Sequence, residues 1–60
     1  MRRWEELQVI LDELHRRIVQ DPQNADRYVE QTKRQYNITK DEEPLLQHTK
    51  KDAVRLTTKL

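Results

Sequence analysis

Trp4-Glu5-Glu6-Leu7-Gln8-Val9-Ile10-Leu11-Asp12-Glu13-Leu14-His15-Arg16-Arg17-Ile18 decides the fold of this 60-residue chain. Trp4, Leu7, Leu11, Leu14 and Ile18 recur at alternating spacings of three and four. That rhythm sets them along one side of an α-helix, and Ile10 widens the stripe. No glycine or proline interrupts the segment. Asp12 with Arg16 and Glu13 with Arg17 each place an acid four residues before a base, the favourable order on a helix. The pattern predicts a helix over about 2–20 whose apolar seam must be covered by something.

Asp21-Pro22 stops that helix, because the residue before a proline is pushed out of the helical region. The same pair can open the next one, with Asp21 as N-cap and Pro22 in the first turn; Asn24 ahead of Asp26 is an equally good cap. Ala25, Val29, Thr32 and Tyr36 then recur at helical spacing, with Tyr28 beside them and Glu30 placed to pair with Arg34. They predict a second helix over about 23–36. Asn37 suits a left-handed C-cap and Ile38 can fold back onto the helix end. Thr39-Lys40-Asp41-Glu42 spells a capping box, but counted from Thr39 it leaves Pro44 inside the helix, so Asp41 is the expected N-cap. Leu46, Thr49, Ala53, Leu56 and Leu60 form the seam of a third helix over about 42–59, flanked by Leu45 and Val54. Its threonines lower the helix propensity.

These elements predict an all-α domain, a two- or three-helix bundle occupying 1–60, either self-standing and completed by oligomerisation or the N-terminal part of a longer protein. Hydrophobic residues make up 33% of the chain and charged residues 38%, with a mean hydropathy of −1.20. A chain this short buries only about 60% of its unfolded surface. Its core is therefore small, and cysteine, which could staple it, is absent.

Composition also narrows function. The net charge of +1 gives no global field toward nucleic acid or an anionic membrane. Glu5, Glu6, Asp12 and Glu13 break what would have to be the apolar stretch of a signal peptide. The longest apolar run, Val9-Ile10-Leu11, is far short of the roughly 20 residues that span a bilayer. A cytoplasmic location is the resulting expectation. Glycine, serine and cysteine are all missing, which removes phosphate-cradling loops and serine or thiol nucleophiles and points away from an enzyme.

His15 with Asp12 and His48 with Asp52 are spaced to ligate a metal from one helix face, yet two such half-sites would have to meet. No metal or other cofactor is expected. Asp41-Glu42-Glu43 reads as charge offsetting a helix dipole. The same acids stand where a helix-turn-helix reader would approach phosphates, which argues against that motif. Asn37-Ile38-Thr39 spells a glycosylation sequon that has no meaning without secretion. Asp21-Pro22-Gln23-Asn24-Ala25-Asp26 with Tyr28 resembles the link between tetratricopeptide repeats. However, Arg17, Gln31 and Thr32 stand where that family favours small residues or leucine, and no second copy follows, so the family is not assigned.

The functional expectation is a small regulatory domain that binds a protein partner or itself through Trp4, Leu7, Ile10, Leu11, Leu14 and Ile18, with Trp4 as the anchor. A two-stranded coiled coil is disfavoured, because the seam lasts under three heptads and Gln8, Ile10, His15 and Arg17 occupy its e and g positions. The alternative is a nucleic-acid accessory domain setting Arg2, Arg3, Lys50, Lys51, Arg55 and Lys59 against phosphates.

Overall fold

In the computed structural model, which describes residues 2–58, the first helix, α1, runs Trp4–Gln20. A 3₁₀ turn at Pro22–Asn24 leads into α2, Ala25–Tyr36, and α3 spans Glu43–Thr58. The expected all-α, three-helix architecture is the one formed, and no strand occurs among the described residues. Lys59 and Leu60, assigned above to the third helix, lie outside the described residues.

At the α1–α2 turn Asp21 and Asn24 hold the two expected N-cap positions, but neither side chain caps a backbone N–H. The Asp21 N–H donates to the carbonyls of Arg17 and Ile18, closing α1, while Pro22 opens the 3₁₀ turn that delays α2 until Ala25. The Asp21 carboxylate accepts from Asn24 Nδ2 at 2.7 Å and from the Tyr28 hydroxyl at 3.0 Å, so it fastens side chains rather than capping a backbone N–H. Those two hydrogen bonds favour its charged form and hold its pKa below the usual carboxylate value.

At the far end of α2, Asn37 is the left-handed residue the sequence calls for, with φ 50° and ψ 55°. Ile38 turns back, its N–H donating to the Lys33 carbonyl and its side chain packing against the core. A Cβ-bearing residue without an amide pays about 1 kcal/mol or more for this conformation. Asn37→Ala is therefore expected to lower the melting temperature by about 4–8 °C in thermal circular dichroism. Asn37→Gly should leave it equal or higher, and an unchanged Asn37→Ala would deny the cap its role.

The start of α3 differs from expectation. No cap hydrogen bond comes from Asp41, which is exposed. Instead Glu42 reaches back three residues and accepts the Thr39 N–H at 3.0 Å and the Thr39 hydroxyl at 3.2 Å, the acidic half of a capping box. Pro44 explains why the helix is not yet regular there. It has no N–H to donate to Lys40, and the chain tightens, with Glu42 and Glu43 both donating to the Thr39 carbonyl.

Arg2 reveals the topology. Its guanidinium donates through Nη2 to the Tyr36 carbonyl, and its Nε lies 3.5 Å from Glu42 Oε2. The start of α1, the end of α2 and the start of α3 thus share one pole, and the helices run up, down, up. This also explains why α1 begins at Trp4 rather than at residue 2: Arg3 is extended (φ −64°, ψ 148°), which directs Arg2 across the bundle end.

The core consists of Leu14, Ile18, Ala25, Val29, Leu46 and Ala53, with Leu11, Tyr28, Ile38 and Val54 packed around it. Leu7 and Ile10 are buried as well. Two expectations for the apolar faces need correction. Leu56 is 53% exposed, so the buried stripe of α3 is rotated away from the Leu46–Leu60 seam toward Val54. Glu30 pairs with Lys33 rather than Arg34, because Lys33 is drawn between Glu30 at 3.6 Å and Glu43 of α3 at 3.3 Å. The hydrogen bond to Glu43 is the main reason the Lys33 pKa is raised.

Candidate interaction surface

Helix α1 faces α2 with one flank and α3 with the other. On the α2 side the Tyr36 hydroxyl donates to Glu13 Oε2 at 3.1 Å, and Arg17 pairs with Glu13 at 2.8 Å. Helical spacing then puts Trp4 and Leu11, seven residues apart, on the flank toward α3. On α3 the flank toward α2 carries Glu43 and Lys50, which bond Lys33 and Asp26. Leu45 and Leu56, eleven residues apart, occupy the other flank and so border α1.

The Arg2–Glu42 contact sets the starts of α1 and α3 side by side. Trp4 is therefore level with the first turn of α3, and Leu56 with the last turn of α1. Trp4, Leu11, Leu45 and Leu56 follow the groove between these two helices; Trp4 is 58% exposed and Leu11 and Leu45 are half-buried.

Of the six seam residues expected to bind a partner, Leu7, Ile10, Leu14 and Ile18 are buried inside the chain. Helices α2 and α3 cover them, so they are unavailable on the folded surface. Trp4 and Leu11 remain at its edge, joined by Leu45 and Leu56. The exposed Val9, on the outer side of α1, borders a shallow depression of about 460 Å³ lined also by Arg2, Glu6, Ile10 and Tyr36.

The six basic residues of the alternative reading differ in their surroundings. Arg2 is committed to Tyr36 and Glu42, and Lys50 to Asp26. Arg3, Lys51 and Arg55 are exposed, and Lys59 lies outside the described residues. The two histidine half-sites stay apart: among the described residues no group of three His, Cys, Asp or Glu side chains could hold a metal ion.

The sequence gives Glu42 only as the acid of a capping-box spelling and part of an acidic run, not as a buried group; its side chain is 1% exposed and its Oε2 makes no hydrogen bond. The Thr39 N–H chiefly holds its carboxyl below the usual range, against the opposing effect of burial, and Arg2 adds to the lowering. The capping-box spelling was the available signal. It could not show that an arginine forty positions earlier would close over the carboxylate.

No family model matches this chain, and no curated protein or solved structure matches it either. No helix among the described residues is long and apolar enough to cross a membrane.

Proposed function

We propose that this chain is a non-catalytic helical interaction module that associates through the groove between α1 and α3, most simply with a second copy of itself. The observation that carries this reading is Trp4. An indole more than half exposed, in line with Leu11, Leu45 and Leu56, leaves apolar area in water that a docked helix would remove from it. The small core of a 60-residue chain makes such completion by association favourable. Charged residues around the groove would set orientation rather than supply most of the affinity.

Trp4 is the sole tryptophan, so its emission, excited beyond the absorption of Tyr28 and Tyr36, reports on this surface. Raising the concentration from about micromolar to millimolar, a range set by weak association, should shift its emission to the blue as sedimentation equilibrium shows oligomers. Leu56→Glu, an exposed position, should abolish both changes while circular dichroism stays helical. A chain that remains monomeric with solvent-like emission throughout rules out self-association.

A further inference from the structure

The three acids on the faces of α2 and α3 that meet each other, Asp26, Glu30 and Glu43, share two lysines, while outside those faces four cations and Asp52 have no ion-pair partner among the described residues. Asp26 pairs with Lys50, while Glu30 and Glu43 both pair with Lys33. Arg27 and Arg34 on α2, and Lys51 and Arg55 on α3, are exposed and take part in no ion pair among the described residues. Arg27 and Arg34 lie seven residues apart, and Lys51 and Arg55 four apart, so each pair shares one outward side of its helix.

The two cross-helix ion pairs fix the register. Residue 26 sits beside 50 and residue 33 beside 43, which places Arg27 level with position 49 and Arg34 level with position 42. The four cations therefore form two rows flanking the α2–α3 edge, extending about 20 Å along the bundle at 1.5 Å per residue. Helix α1, with Glu5, Glu6, Asp12 and Glu13 against Arg16 and Arg17, carries the compensating negative charge. With every acid counted, α2 and α3 each carry a net charge of +1 and α1 carries −2, next to Arg2 and Arg3.

We infer that this α2–α3 face is a binding surface for a DNA duplex, contacted through its phosphates and without sequence preference. A protein partner would need an apolar centre. Among the described residues the exposed large hydrophobics are Trp4, Val9, Val19 and Leu56, of which none lies on α2 and Leu56 borders α1. Base stacking here would need an exposed aromatic on this face; Trp4 is on the α1–α3 side, and Tyr28 and Tyr36 are turned to Asp21 and Glu13. What the face offers is three guanidinium groups and one ammonium, the first suited to bidentate contact with phosphate oxygens. This assignment is independent of the α1–α3 groove and uses Arg27 and Arg34, which the sequence did not single out.

The test is fluorescence anisotropy of a labelled DNA duplex titrated with the whole chain at several salt concentrations. Dissociation constants within about 10⁻⁴ to 10⁻⁶ M are expected near physiological salt and tighter ones below it, with a log–log salt slope of about −3 to −4 for four phosphate contacts. Arg27→Gln with Arg34→Gln should reduce the magnitude of that slope by about 2, as should Lys51→Gln with Arg55→Gln. Arg16→Gln on α1 should leave the slope unchanged, and Leu56→Glu, which tests the groove, should leave the slope in place. Absence of binding at low salt overturns the inference. So does polyglutamate competing as well as the duplex, which would assign the face to acidic protein, or single-stranded DNA binding more tightly than duplex.

Discussion

Replacing Leu14 by alanine should remove most of this chain's stability at 25 °C. Leu14 is fully buried and packs with Ile18, Val29, Leu46, Ala25 and Ala53, two of which are already alanine. Neighbours that small cannot move in to fill the space. The cost belongs in the upper part of the usual range for such truncations, about 3–5 kcal/mol. A chain of this size has a total stability of only about 3–9 kcal/mol at the common value per residue. Urea denaturation followed by circular dichroism should show a midpoint lowered by about half or more. Leu14→Met, which keeps volume, should retain a cooperative transition at a cost of less than about 1.5 kcal/mol. A Leu14→Ala variant that melts within a few degrees of its parent would mean that the core is not centred where the packing places it.

Removing Arg2 is expected to have the second largest effect. Glu42 is almost wholly shielded from water, and Arg2 is the cation beside its Oε2. Arg2→Met therefore strands a carboxylate. The loss should be about 2–3 kcal/mol, below the 3–5 kcal/mol of a fully enclosed pair, because the Arg2 side chain is 20% exposed. Changing both partners, Arg2→Met with Glu42→Leu, should restore part of it, since an apolar pair has no charge to strand; the Thr39 hydrogen bonds would still be missing.

This pair also carries a pH signature. The folded pKa of Glu42 lies below its ordinary value of 4.5. Its contribution to stability is therefore complete above that value and is lost as the pH falls through the folded pKa. Arg2→Met should move this acid-induced loss to higher pH, toward neutrality. Unfolding free energies measured across the acid range that fall identically in both proteins would show that Arg2 does not sustain the Glu42 charge.

The three helices were legible because their determinants are local. The spacing from Trp4 to Ile18, the Asp21-Pro22 break and the Asn37 cap each act within a turn or two of chain. What could not be read was which side of each stripe would face inward. Leu56 fits the α3 seam by spacing, yet the buried side turned toward Val54, a choice made by packing between helices rather than within α3. Similarly, Glu30 could pair with Arg34 or Lys33, and only the approach of Glu43 selects Lys33. The proposed docking row combines Trp4 and Leu11 from the first seam with two leucines that sequence spacing assigned to the interior or edge of α3. Four of the six seam residues were legible as apolar and important, but their importance is to the core.

The odd number of helices carries a mechanical consequence. Arg2 and the start of α1 occupy one pole, and α3, running the same way, ends near Thr58 at the other, in a body whose long dimension is 36 Å. Tension applied between these two ends pulls α1 and α3 along their axes in opposite senses. The helices must then slide past one another across Leu14, Ile18, Leu46 and Ala53 together, whereas neighbours in a hairpin can be peeled apart one turn at a time. Linked in series, the unit would act as a strut loaded in shear.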